Sequence, residues 1–92
     1  MDKLIRYFMI VEGRVQRVGF RSFCQLKAYK TNITGHAKNL DNGMVEIEAQ
    51  ANKETLLDFI DYIKKGNLFI KVDNISIKEI PIKENEKKFI SI

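Results

Sequence analysis

The sequence predicts an α+β fold: an antiparallel five-stranded sheet with two helices on one face, ordered βαββαβ with a short C-terminal strand added. Three observations lead there. Two segments repeat apolar residues at helical spacing, and segments alternating with period two surround them. A turn of hairpin type, Asp41-Asn42-Gly43, joins the middle strands directly. The chain has 92 residues, enough for one small core.

The first strand spans residues 4–12, apolar on both alternations: Ile5, Tyr7, Met9 and Val11 on one face, Phe8 and Ile10 on the other. That pattern suits an interior strand with little solvent contact. The first helix spans about 20–30, where Phe20, Phe23, Cys24 and Ala28 fall at i, i+3, i+4, i+8. Asn32 is placed to end it in a left-handed conformation. Residues 33–40 read as a second strand, interrupted by Gly35. After the hairpin, Val45, Ile47, Ala49 and Ala51 alternate with Glu46, Glu48 and Gln50, a strand with one wet face. Asn52 can cap the second helix, whose stripe is Leu56, Phe59, Ile60 and Ile63, and Lys64-Lys65-Gly66 suits its end. The alternation then changes phase near Asp73-Asn74, which predicts a loop or bulge before a strand at 75–80 that Pro81 ends. Residues 83–88 read as a charged connector, and 89–92 as a last strand of unassigned register. Two helices on one face of such a sheet make a ferredoxin-like α/β sandwich, with 1–92 as one domain.

Composition narrows the function classes. A hydrophobic share of 45% and a charged share of 30% are those of an ordinary soluble domain. The first six residues lack a signal-peptide layout, and no apolar run approaches the roughly 18 residues of a membrane span. The single cysteine, Cys24, excludes an internal disulfide and fits a reducing compartment. The expectation is a cytoplasmic protein without membrane contact. The Gly-Lys-Ser/Thr of a nucleotide P-loop and Gly-x-Gly-x-x-Gly are both missing. One histidine, His36, has no carboxylate or cysteine nearby in sequence at ligand spacing, which argues against a metal site and a hydrolase triad.

The segment that carries chemistry is Gly13-Arg14-Val15-Gln16-Arg17-Val18-Gly19-Phe20-Arg21. It links an apolar strand to a helix start, a recurring arrangement for holding phosphate. Loop N–H groups turn inward and the helix N-terminus adds partial positive charge. Gly13 and Gly19 supply backbone freedom, and Arg21, in the first helical turn, can grip two oxygens of one phosphoryl group. Residues 13–40 contain no Asp or Glu and carry +6, against +4 for the whole chain, leaving −2 for the rest. An anion site follows.

In these residues the chain resembles the acylphosphatase family. The resemblance rests on Gly13-x-Val15-Gln16-x-Val18-x-Phe20-Arg21 and on Gly35-x-x-Lys38-Asn39 downstream, with the hairpin and Val45-Glu46 in place behind them. It extends over nearly the whole chain, and the joint spacing of the two motifs is the specific part. What it implies is hydrolysis of a carboxyl–phosphate anhydride in small acyl phosphates, without metal, cofactor or covalent intermediate. Inorganic phosphate would be product and inhibitor. The resemblance assigns phosphoryl binding to Arg21 and to the loop residues Val15, Gln16, Arg17, Val18 and Gly19, and orientation of the attacking water to Asn39. This chain departs from the family pattern at Arg17, where glycine is usual. A positive φ there would cost an arginine on the order of 1 kcal/mol. His36-Ala37 stands in place of a bulkier apolar pair, and Asn32 in place of a glycine.

Plainer readings stand beside these. An arginine at a helix start is most often a solvated charge, and an asparagine before a hairpin a turn residue; only the two motifs together raise Arg21 and Asn39 above that. Arg14 reads as a solvated loop charge, Cys24 as core, Tyr7, Phe8, Phe23 and Phe59 as core, and residues 84–88 as a solvated turn. The rival function is a non-catalytic anion- or nucleic-acid-binding module of the same fold that keeps the cradle. Residues 44–50 hold no aromatic side chain, which argues against RNA. A third reading, an accessory domain of a carbamoyl-transfer machine, resembles uses of this fold in larger chains. The reading adopted is a monomeric enzyme.

Overall fold

The apolar run near the start of the chain forms β1 (Leu4–Arg14), an interior strand of a five-stranded sheet. The computed structural model describes residues 3–92. After β1 come α1 (Phe20–Lys30), β2 (Thr34–Asn39), β3 (Val45–Asn52), α2 (Lys53–Lys65), β4 (Lys71–Ile80) and β5 (Phe89–Ser91). The strand order is β4-β1-β3-β2-β5.

Register explains the two faces. β1 and β3 pair antiparallel with Met9 opposite Ile47 and Val11 opposite Val45, and β2 sets Ala37 opposite Ile47. All of these side chains are buried under the helices. α1 contributes Phe20, Cys24 and Ala28, and α2 contributes Leu56, Phe59, Ile60 and Ile63. Phe23 stacks on Tyr62 at 4.6 Å between ring centroids and joins the two helices. Both helix ends behave as their residues require. Asn32 has φ 58, and Ile33 N–H reaches back to the Ala28 carbonyl at 2.9 Å, the wider bond of a Schellman cap. The Asn52 side chain accepts from Thr55 N–H at 2.8 Å.

Three details depart from expectation. β4 begins at Lys71 rather than 75: the phase change is a bulge inside a continuous strand, with Glu12 opposite Asn74 and Gly13 opposite Val72, so that Asp73 is the extra residue. The sheet is antiparallel except at its last strand, because β5 lies parallel to β2. β4 ends at the same end of the sheet from which β2 starts, so a chain crossing directly from one edge to the other enters β5 in the direction of β2. The third detail concerns the helix-free face. Of the aromatics expected in the core, Phe59 is fully buried, whereas Tyr7 and Phe23 are half-buried beside the core and Phe8 is half-buried on that open face.

On the same face Arg6 is fully buried. Its Nε donates to Glu48 Oε1 at 2.7 Å, and its two terminal nitrogens grip Glu86 at 2.7 and 3.1 Å. Gln50 accepts from Arg6 at 3.1 Å and from Lys83 N–H at 2.8 Å, and donates to the Lys83 carbonyl at 2.9 Å. Residues 84–88 are therefore no free turn: Glu86 and Lys83 strap the connector across the sheet. Burial opposes the charge on Arg6, yet the hydrogen bonds and charges of Glu86 and Glu48 outweigh it and push the guanidinium further up. Burial likewise opposes the charge on Glu86, but hydrogen bonds from Arg6 and Thr34 win and hold its carboxyl below the usual value of 4.5.

A carboxyl lowered in the folded state binds its proton more readily when unfolded, so its stabilisation is full above about pH 4.5 and is lost as pH falls through the folded value. Wild type is therefore expected to exceed Glu86→Gln in urea-unfolding free energy at pH 7, with the gap narrowing steadily below pH 4.5. A gap that stays constant to pH 3 would show that the Arg6–Glu86 charge pairing contributes nothing.

Candidate active site

β1, β2 and β5 run in one direction and β3 and β4 in the other. One end of the sheet thus collects the ends of β1, β2 and β5, the starts of β3 and β4, and the first turn of α1. The loop at 15–19 lies there. Its entry is set by Gly13, with φ 136: a Cβ at this position would sit 2.1 Å from the Lys71 carbonyl oxygen. Only glycine permits so close an approach of two backbones.

Each loop residue has a distinct job in the packing. Val15 is buried and anchors the loop in the core. The Gln16 side-chain amide donates to the carbonyls of Leu40 and Met44, at 2.7 and 2.8 Å, and so ties the loop to the β2–β3 hairpin. Arg17 is exposed with φ 64, in the left-handed region. Val18 packs half-buried against the core, and Gly19, with φ 78, is the N-cap of α1. Gly19 offers no side chain to the first-turn N–H groups, and that turn contains no carboxylate. These donors keep their partial positive charge for whatever anion approaches.

Arg21 stands in that first turn, half-buried, and one of its terminal nitrogens donates to the Ile92 main-chain oxygen at 2.6 Å. Asn39 is the last residue of β2, opposite Val45, on the helix-covered side of the sheet. Its side-chain oxygen is buried and is the one buried side-chain polar atom without a hydrogen-bond partner among the described residues. Leaving such an acceptor unpaired costs about 1–3 kcal/mol, so the position favours a donor from outside the protein. The Gln16 bond to Leu40, the residue after Asn39, holds loop and asparagine side by side.

Comparison with known proteins decides the family. The acylphosphatase family profile matches residues 7–91. The chain belongs to the acylphosphatase family. An acylphosphatase of Clostridium beijerinckii is 54% identical over 86 residues, covering 94% of this chain and 96% of the relative. The acylphosphatase crystal structure from Bacillus subtilis superposes with a TM-score of 0.90 at 41% identity, over 96% of this chain and 98% of that one. A crystal structure of full-length HypF in phosphate- and nucleotide-bound form contains a similar part: TM-score 0.88 and 30% identity over 100% of this chain but 12% of that chain. As a member of the acylphosphatase family the chain is a hydrolase, and among its described residues no helix is long and apolar enough to cross a membrane.

Within this acylphosphatase frame, Arg21, Asn39 and residues 15–19 all lie at one end of the sheet. What sequence reasoning missed is Ile92, whose main-chain oxygen holds Arg21; a backbone atom remote in sequence leaves no signal in residue types. It also missed a cluster. His36 Nε2 lies 2.7 Å from Glu46 Oε2, and with Glu48 the three ligand atoms fall within 4.8 Å of one another. Strand pairing brings them together on the helix-free face, away from the loop. Glu48 is engaged there by Arg6, and that guanidinium beside the cluster opposes a further cation. Cys24 is fully buried in α1, and burial pushes its thiol well up, which makes it inert core.

The positive φ of Arg17 has a measurable consequence. The left-handed conformation costs a non-glycine residue about 1–2 kcal/mol, and the greater unfolded-state freedom of glycine returns about 0.5–1. Arg17→Gly is therefore expected to gain about 0.5–1 kcal/mol, seen as a higher urea midpoint at unchanged slope. A lower midpoint would mean that the Arg17 side chain contributes more than its backbone costs.

Proposed function

We propose that the protein hydrolyses the carboxyl–phosphate bond of small acyl phosphates, acting as a cytoplasmic monomer that needs no metal. The N–H groups of residues 15–19 and the Arg21 guanidinium hold the phosphoryl group, and Asn39 aims the water. The observation that carries this reading is the buried, unpartnered Asn39 oxygen beside a helix start free of capping side chain and carboxylate. An amide oxygen can accept one hydrogen bond from water and orient it, although it is too weak a base to remove the proton. Water oxygen bonds to phosphorus, the bond from phosphorus to the acyl oxygen breaks, and the electron pair leaves with the carboxylate. The water proton passes to a phosphoryl oxygen.

So spare a site suffices for this substrate class. A carboxylate is a good leaving group and requires no strong acid, and phosphoryl transfer depends chiefly on positioning and charge stabilisation. Arg21 can spend one donor on Ile92 and keep others for the equatorial oxygens. The buried free Cys24 thiol is compatible with a reducing compartment. Against nucleic acid, the helix-free face carries the carboxylates Glu46 and Glu48 and, among the described residues of β1 and β3, one aromatic side chain, Phe8.

Benzoyl phosphate turnover with EDTA present is expected of wild type, with Arg21→Ala and Asn39→Ala each at least ~100-fold slower, about 2.7 kcal/mol of transition-state stabilisation. If wild type is inactive and Arg17→Gly restores turnover, the chain is an anion-binding module with a displaced cradle. If metal is needed for turnover, the mechanism is wrong.

A further inference from the structure

The turn between α2 and β4 presents two large apolar side chains to water: Leu68 is 94% exposed and Phe69 67%. It is not a loose tip. The Asn67 side-chain oxygen accepts from Phe69 N–H at 2.8 Å and from Ile70 N–H at 2.9 Å, and Ile70 is buried in the core. These bonds set the backbone of the turn, from which Leu68 and Phe69 project outward. That place is beside the phosphate loop, because Lys71, which follows directly, pairs with Arg14, where the loop begins.

The side on which they stand matters. In the strand order β4-β1-β3-β2-β5, the loop rises from β1, Asn39 ends β2 on one side of it, and the 66–70 turn enters β4 on the other. Gln16 leans toward the Asn39 side through its bonds to Leu40 and Met44. In-line displacement at phosphorus sets the attacking and leaving oxygens on opposite sides. If water attacks from the Asn39 side, the acyl group departs toward β4. We propose that Leu68 and Phe69 are specificity-determining residues, forming an apolar platform for the acyl half of the substrate and favouring aromatic or extended apolar acyl phosphates over acetyl phosphate. This inference rests on the function proposed above and adds the substrate class to it.

Burying an apolar acyl group against these side chains removes water from both, whereas acetyl is too short to cover them. The test is kcat/KM for benzoyl phosphate and for acetyl phosphate, in wild type, Leu68→Ala/Phe69→Ala and Asn39→Ala. In the double variant, benzoyl phosphate is expected to fall at least ~10-fold while acetyl phosphate stays within about twofold, which also reports an intact fold. Asn39→Ala is expected to lose both substrates alike. Equal losses on both substrates in the double variant, or no loss on either, overturn the platform while leaving the proposed hydrolysis standing. Wild type turning over neither substrate overturns the hydrolysis, and the platform with it.

Discussion

A buried guanidinium organises the back of this sheet. Arg6 has no contact with solvent, and an arginine so placed persists only if its donors are matched. Glu48 and Glu86 supply charge, and Gln50 supplies a neutral acceptor that it shares with Lys83 N–H. The partners come from β3 and from the connector after β4, so satisfying one side chain fixes where the connector crosses. That crossing delivers β5 beside β2, with Gly35 opposite Phe89. Phe89 then tilts against Phe59 of α2 at 6.1 Å, and the Ile92 oxygen arrives within reach of Arg21. The chain of dependence runs from a buried ion pair on one face to the position of a cation at the end of the sheet.

The loop is built by the opposite means. It contains little that would hold it by itself, and its shape comes from neighbours: Gly13 pressed to the Lys71 carbonyl, Val15 in the core, and Gln16 bridging to the hairpin. Arg17 is held at a positive φ within that frame, with its side chain exposed. Strain of this kind persists where surrounding structure over-determines the backbone. The same frame leaves the first-turn N–H groups of α1 without a capping side chain and the Asn39 oxygen without a partner, and the proposed function draws on both.

Charge is distributed to match. Arg14, Arg17, Arg21, Lys27 and Lys30 lie on or beside the loop and α1, while Glu46 and Glu48 of β3 lie on the helix-free face. On the helix side Lys27 pairs with Asp58 of α2 at 3.1 Å. No carboxylate occurs between Gly13 and Leu40, so neither the loop nor the first turn of α1 supplies a negative charge of its own to repel an anion.

Much of this was legible in residue order. The helix stripes, the Asp41-Asn42-Gly43 hairpin, the Asn52 cap and the left-handed Asn32 follow from local rules that need only neighbours in sequence, and all appear in the structure. The two motifs carrying Arg21 and Asn39 were equally readable, because their spacing is itself a sequence property. What only the tertiary structure decided are the contacts between residues remote in sequence. The parallel seat of β5 is set by the strap from Arg6 and Gln50 to residues 83–86, partners up to 80 positions apart. The meeting of His36 with Glu46 and Glu48 is set by strand register, and the hold of Ile92 on Arg21 by a backbone oxygen that no residue type announces. Periodicity reports which face a residue takes, and only the folded chain sets what that face meets.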